Sequence, residues 1–440
     1  MKRIAVVGSG ISGLAAAHAL QRHAKVTLFE SGDYFGGHTH TVDLTLPGPG
    51  GQAVTHGVDT GFLVFNHRTY PKLVALFEQL GVETARSEMS FSVQSRADGL
   101  EWSGSDLNAV FAQRRNLVRP RFLRMLLAIT RFNRQATALA TAGAESDLAQ
   151  PIGDFLDQHG FDDDFRAWYL LPMVGSIWSC PTEQMLRFPI ATLIRFCHNH
   201  GLIQITDRPQ WHTVRGGARR YVDVMIDGIA DSRLRTPVRS LRRLPPGDGR
   251  GGVMLVTDHS SERFDEVVLA CHSDQSLALL DDASVAERAV LSAIRYHPNR
   301  AVLHTDSSVL PRRKRAWAAW NYARAADTGR EQAAVCLHYW LNRLQPLPWQ
   351  QPVMVSLNPD PMHAPDPATV FGTYDYSHPV FDAAAIQAQR QLPAIQGQSH
   401  VWFCGAWTRY GFHEDGLVSA LDVVQQIGDR WQAAGAEAAA

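Results

Sequence analysis

Gly8, Gly10 and Gly13 stand between two apolar runs, Ile4-Ala5-Val6-Val7 and Val26-Thr27-Leu28-Phe29, and the second run ends on Glu30. Residues of these types at this spacing hold the diphosphate of a dinucleotide. Gly8 permits a tight turn, Gly10 lets the backbone approach a pyrophosphate, and Gly13 lets a helix pack closely on a strand. The dipole of that helix and its unpaired N–H groups then meet the phosphate charge. Glu30 can accept from both hydroxyls of an adenosine ribose, which argues against a 2′-phosphate and so against NADP. The motif has its full context, with a strand before it, a helix after it and the acid at the end of the second strand.

Other reactive side chains are weaker pointers. His38/His40, His198/His200 and His56 have no carboxylate or cysteine at ligand spacing, so no metal site is expected. The five cysteines are scattered without a CxxC pair, which suits a reducing compartment. The net charge of −1 gives no reason to expect bulk nucleic-acid binding. A 45% apolar, 19% charged chain of 440 residues can bury an ample core, in two or three domains by length. The first apolar run is broken by glycines and reads as nucleotide fold, not as a secretion signal. No window approaches the apolar length of a membrane span, and a cytoplasmic location is the expectation.

The elements that must position the glycines recur along the chain. Thr41-Val42-Asp43-Leu44-Thr45-Leu46 alternates like a strand, Val58 to Phe65 reads as a strand or turn, and a helix is predicted over Pro71 to Leu80. From about 86 to 211 the texture is mostly helical in period, with proline punctuation. Gly216-Gly217 then reads as a turn opening a helix, followed by strands at 235–241, 252–257 and 264–271 and a polar turn at 245–251. An aromatic-rich stretch fills 276–395, before the strand Val401-Trp402-Phe403 and a helix from Leu417 to Ile427. One nucleotide domain (1–85, 212–275 and 396–440) is thus threaded through the chain three times, and 86–211 with 276–395 make the other. The fold class is α/β: a Rossmann-type dinucleotide domain with a discontinuous, helix-rich α+β substrate domain.

Gly8–Gly13 with Glu30, the Gly36-Gly37 loop, the Val238 strand after Gly216-Gly217, and the Gly405…Gly416 segment follow in the order of the flavin-containing amine oxidoreductase superfamily, which the chain resembles. Within it, Gly57-Val58-Asp59-Thr60-Gly61-Phe62-Leu63-Val64-Phe65-Asn66, Tyr339-Trp340-Leu341-Asn342-Arg343-Leu344-Gln345 and Phe403-Cys404-Gly405-Ala406-Trp407 look most like bacterial FAD-binding proteins associated with cyclopropane-fatty-acid synthases. The resemblance implies FAD. It implies Gly8, Gly10, Ser12 and Gly13 at the pyrophosphate, Glu30 at the ribose, and Gly37, His38 and Thr39 by the ribityl chain and pyrophosphate. It further implies Thr60, Gly61 and Phe62 beside the isoalloxazine, Val238 against adenine, Gly405 at the ribityl phosphates, and Gly416, Leu417 and Val418 near flavin O2 and N1. Where this family usually carries Arg after the two glycines, His38 stands here.

A helix starting at Gly416 would aim N–H groups at the charge a reduced flavin carries over N1 and its C2 carbonyl, with Asp415 as N-cap. His413 and Glu414, just before it, are the candidate acid–base pair. Trp320, Tyr339 and Tyr374 are candidate lining of a substrate cavity. Gln113 to Arg134 holds seven arginines, no acid and an apolar face. Such a basic amphipathic helix either lies on an anionic membrane surface or packs on its own domain. The expected activity is hydride transfer to flavin N5 from a C–H or C–N bond of an apolar substrate, an acyl lipid or modified fatty acyl chain. The alternatives are an amine oxidase and a non-catalytic flavin-binding partner of a lipid-modifying enzyme. Against the first, only Lys2, Lys25, Lys72 and Lys314 are available to place a lysine near N5.

Overall fold

The computed structural model describes residues 1–142, 148–203, 208–245, 251–324 and 335–439. The glycine-turn unit folds as its spacing requires: strand Arg3–Val7, helix Ile11–Leu20, strand Lys25–Phe29. Both strands are buried from their second residue on, as expected of a parallel sheet covered on both faces. That sheet has five strands in the order Asp231–Arg233, Lys25–Phe29, Arg3–Val7, Glu266–Leu269, Val401–Phe403, every pair parallel. Its members come from three distant stretches of chain. A three-stranded antiparallel sheet, Val238–Leu244, Gly252–Thr257 and Ser261–Phe264, packs beside it. The terminal helix, His413–Ala439, lies along helix Ile11–Leu20.

A second, seven-stranded sheet runs Val370–Val380, Arg295–His304, Met354–Leu357, Leu337–Trp340, Trp320–Arg324, Phe91–Ser95, Leu100–Ser103. It makes this half of the molecule richer in strand than the helical period of 86–211 implies. The reason is chemical. Ser92, Gln94 and Ser95 are buried yet polar, so Phe91–Ser95 shows no apolar run. Their partners lie far along the chain: Ser92 Oγ donates to Asn321 Oδ1 at 2.8 Å, and Gln94 Nε2 to the Val309 carbonyl at 2.7 Å. The same sheet buries His304 and His338 on either side of Ser356 Oγ, at 2.7 and 2.6 Å.

Helix Pro71–Leu80 matches its predicted span, with Pro at the start and Gly81 in the left-handed conformation at its end. The segment read as 264–271 is instead two strands, Ser261–Phe264 and Glu266–Leu269, belonging to different sheets. Most of the 245–251 turn lies outside the described residues. The basic stretch 113–134 is not one helix. It is a short 3-10 turn, Arg114–Val118, then a helix over Pro120–Ala142. Pro120 disfavours helical geometry at the residue before it, and Arg119 is accordingly extended at φ −87°, ψ 106°. Among the described residues no helix is long and apolar enough to cross a membrane.

Candidate active site

A cavity of about 520 Å³ joins the head of helix Ile11–Leu20 to the seven-stranded sheet. Gly8, Gly10, Ser12, Glu30, Gly37, His38 and Gly405 line its nucleotide half. Gly8 adopts φ +98°, and a Cβ on Gly13 would sit 1.8 Å from the Gly8 carbonyl oxygen, so only glycine lets this helix close on its strand. A Cβ on Gly10 would meet no protein atom within 4 Å, although Gly10 lines the cavity. No side chain caps this helix, so its leading N–H groups are available to an anion. An open glycine cradle below an uncapped helix head is what a diphosphate needs, and the residues present fit FAD. Glu30 is already oriented: Oε2 accepts from Ser9 N at 2.9 Å and Ser9 Oγ at 2.5 Å, and Oε1 from Gly32 N at 2.8 Å.

The next wall is built by the 36–40 loop lying on residues 60–62. Phe62 N donates to the His38 carbonyl at 2.7 Å, and a Cβ on Gly61 would approach that oxygen to 2.2 Å. The Phe62 ring stacks on His413 at 3.7 Å. His413 Nε2 is 2.9 Å from Thr39 Oγ1 and 3.0 Å from the Tyr221 hydroxyl. Burial, helped by His38, lowers the His413 pKa to about 3. Burial lowers His38 and His272 to about 4 and His378 to about 3. These rings lie close together, His38 being 5.3 Å from His378 and 6.3 Å from His272 between centroids. All four are therefore neutral at pH 7. In the cofactor-free protein His38 is not a cation where this family usually carries Arg.

Asp59 sets this wall. Its Oδ1 accepts from Thr41 Oγ1 at 2.5 Å and Ala218 N at 2.9 Å, and its Oδ2 accepts from Gln345 Nε2 at 2.6 Å. Gln345 Oε1 accepts in return from Asp59 N at 3.1 Å. Three separated sequence landmarks, 57–62, Gly216-Gly217 and 339–345, thus meet at one buried carboxyl. Burial pushes its pKa up to about 7, against the pull of Thr41, Ala218 N–H and Gln345.

Several predicted residues stand behind the cavity instead of in it. Thr39 braces His413, and Thr60 Oγ1 faces the Tyr376 hydroxyl at 2.8 Å. Val238 is held near the Glu30 turn through Thr236 N, which donates to the Glu30 carbonyl at 2.8 Å, but does not reach the cavity wall. The terminal helix starts at His413, not Gly416, so Gly416 N is spent on the Phe412 carbonyl at 3.0 Å. Gly416, Leu417 and Val418 have no N–H groups to offer a flavin. The N–H groups without a partner inside this helix are those of its first turn, His413 to Asp415. Gly416 packs on Ser12, whose Oγ donates to its carbonyl at 2.9 Å. Asp415 is not the N-cap either: from inside the first turn its Oδ2 accepts from Phe412 N at 2.9 Å. Glu414 leaves the cavity to accept from Lys72 N and Leu73 N at 2.8 and 2.9 Å, capping helix Pro71–Leu80. Tyr374 is also outside the lining, its ring against His40 at 4.7 Å, while Ser377, His378 and Pro379 of the same strand line it.

The substrate half includes Trp320 and Tyr339 as predicted, their rings 4.9 Å apart and edge-on. Met89, Phe91, Met173, Ile177, Phe196, Leu202 and Phe412 are also part of it. Phe196 and Phe412 stack at 4.6 Å. These apolar residues are indistinguishable from core in the sequence, and only the 3.6 period of helix Ile190–Asn199 hinted at a face. Among the described residues Glu30, at the nucleotide end, is the one carboxylate in the lining, and no lysine or arginine joins it. Nor is any group of three or more His, Cys, Asp or Glu placed to hold a metal ion.

Residues 11–340 match the family described as flavin containing amine oxidoreductase. Among solved structures, a conjugated-linoleic-acid-producing fatty acid isomerase from P. acnes superposes with a TM-score of 0.66 at 15% identity, covering 97% of this chain and 98% of that one. Cyclohexylamine oxidase from Brevibacterium oxydans gives 0.66 at 16%, covering 97% and 99%. Putrescine oxidase with putrescine bound gives 0.65 at 15%, covering 97% and 98%. At such identities the likeness speaks for the fold, while the sequence match over most of the chain speaks for descent. The chain belongs to the flavin-containing amine oxidoreductase family and is an FAD-dependent oxidoreductase.

Proposed function

We propose that the protein oxidises a neutral, apolar substrate, an acyl lipid or modified fatty acyl chain, at a C–H or C–N bond. The observation that carries this reading is the lining of the substrate half: thioether, aliphatic and aromatic groups with serines, and no ionised side chain among the described residues. An ammonium group desolvated there would find no carboxylate partner, a cost of several kcal/mol, whereas an alkyl chain gains about 0.8 kcal/mol per buried CH₂. The fold alone does not choose, since a fatty acid isomerase and amine oxidases share it. The narrower resemblance to proteins associated with cyclopropane-fatty-acid synthases points the same way.

When bound, FAD would supply a two-electron acceptor. The chain's own part is to seat the reacting carbon against it and to keep water out. Phe196, Phe412, Trp320 and Tyr339 do both. The neutral His413, fixed by Thr39 and Tyr221 and stacked on Phe62, is the one imidazole at the head of the terminal helix; with its pKa held at about 3 it braces this wall and is ill-suited to take a proton at pH 7. Anaerobic mixing of the FAD-loaded protein with methylated or cyclopropanated phospholipids should bleach the flavin absorbance. If those lipids leave it oxidised while an aliphatic amine bleaches it rapidly, the protein is an amine oxidase. If nothing reduces it, the flavin-binding-partner reading takes its place.

A further inference from the structure

Among the described residues, half of the exposed large apolar side chains fall in one short stretch: Leu107 at 77% exposure, Leu117 at 51%, Val118 at 80%, Leu123 at 37% and Leu127 at 69%. Leu123 and Leu127 are one turn apart on helix Pro120–Ala142, whose other face buries Phe122, Met125 and Phe132. The apolar residues of this helix are therefore divided between the core and the outside. Folding against itself does not account for the outer set.

The charges carried by the stretch itself are all of one sign. Leu107 to Arg134 contains no acid. Arg121 is tied to Asp164 and Arg131 to the Gly160 carbonyl, while Arg124 and Arg134 are exposed and make no ion pair among the described residues. The fold then adds a second basic run that the local sequence does not reveal. Arg312-Arg313-Lys314-Arg315, all exposed, packs against the short helix Leu107–Val110 through the turn Lys314–Ala316. The acids nearest this junction are occupied. Glu101 accepts from Arg312 N and Arg313 N, and Asp106 caps Ala109 N. In a chain with 42 basic and 43 acidic residues, the two distant segments that meet beside the exposed leucines carry eleven cations, of which Arg131 turns partly inward onto Phe161.

We infer that this face docks on an anionic lipid bilayer, the leucines and Val118 entering the headgroup region and the cations meeting lipid phosphates. A nucleic acid would use the charges but leave the exposed leucines against water, so the apolar set favours lipid. The location is also apt. Gly104 N donates to the Phe91 carbonyl at 3.1 Å, and Ala319 N to Ser90 Oγ at 2.9 Å, so the face hangs from the end of the sheet where Phe91 and Trp320 line the cavity.

The test is sedimentation of the FAD-loaded protein with vesicles of phosphatidylglycerol and phosphatidylcholine, and with phosphatidylcholine alone. Retention by the anionic vesicles only, weakening as salt rises, is expected. Val118→Asp with Leu127→Asp, and separately Arg124→Glu with Lys314→Glu, should each weaken binding at least about tenfold, with flavin absorbance and soluble-amine or lipid-monomer reduction rates unchanged. Failure of anionic vesicles to retain the protein at low salt would overturn the inference. So would full retention by the Val118→Asp/Leu127→Asp variant, or binding to an oligonucleotide that both wild type and this variant share at equal strength. Because the readout is sedimentation and not flavin reduction, it stands or falls apart from the choice of substrate.

Discussion

Exchanging the partners at the Asp59 node tests whether it positions the flavin-side wall. Asp59→Ala leaves three donors, Thr41 Oγ1, Ala218 N and Gln345 Nε2, facing a hole in a buried site. At about 1–3 kcal/mol for each buried donor left unpaired, the loss is about 3–9 kcal/mol. Asp59→Asn is subtler. Its oxygen still serves Thr41 and Ala218, but its amide meets the Gln345 amide donor to donor. Turning Gln345 over moves the conflict to Asp59 N, which now donates to Gln345 Oε1, so one clash of about 1–3 kcal/mol persists either way. Gln345→Glu alone sets two carboxyls against each other. The pair Asp59→Asn/Gln345→Glu restores every bond. The new side-chain amide at position 59 donates to one oxygen of the new carboxylate at position 345, and the backbone N–H of position 59 donates to the other. The double variant should therefore recover at least about 1.5 kcal/mol relative to the sum of the singles. Two measurements read it, thermal unfolding and the FAD dissociation constant, where 1.4 kcal/mol is about tenfold. The reasoning is refuted if the double variant merely adds the two losses, or if Asp59→Ala leaves FAD affinity and melting temperature untouched.

Gly13→Ala should abolish FAD retention, because its Cβ would fall 1.8 Å from the Gly8 carbonyl oxygen; gel filtration followed by the flavin spectrum decides it. Gly10→Val offers a contrast. Its Cβ would meet no protein atom within 4 Å, so the apoprotein should melt nearly normally while FAD binding fails, and a low melting temperature would argue that the cradle is structural. Acid should destabilise the protein. His38 and His272 at about 4, and His378 and His413 at about 3, lie below their ordinary 6.5, so the unfolded chain takes up protons first as pH falls. Their contribution is whole above pH 6.5 and is lost between there and about 4 for His38 and His272, and about 3 for His378 and His413. Asp59 at about 7 and Asp415 at about 6 lie above their ordinary 3.8 and act oppositely, gaining stability as pH falls. With about 1.4 kcal/mol per pH unit for each group, four histidines outweigh two carboxyls, and the melting temperature at pH 5 should sit below that at pH 7.5; a flat or rising profile contradicts the buried cluster. Glu414→Gln should lower stability by about 1 kcal/mol through the weakened helix cap, with KM and kcat unchanged, whereas a large loss of kcat would return Glu414 to the chemistry.

What could be read from the sequence was what is local. Gly8, Gly10, Gly13 and Glu30 act within one strand–helix–strand unit, and their spacing carries its own geometry. The cap residues show the limit. His413, Glu414 and Asp415 are adjacent, yet one stacks on Phe62, one crosses to helix Pro71–Leu80 and one turns back on Phe412. Their helix begins a turn earlier than its glycine suggests, because Asp415 serves the N–H that opens it. The seven-stranded sheet escaped notice for a related reason: its buried strands are satisfied by serine, asparagine and histidine partners far along the chain, and no window contains both members of such a pair. The Asp59 node shows how these two cases join. Gly57–Phe62, Gly216-Gly217 and Tyr339–Gln345 each look like an unexplained motif, and each is explained only by the other two. A carboxyl that must satisfy three donors from three segments constrains all of them at once, so the strongest constraint in the site is one that no single segment can display.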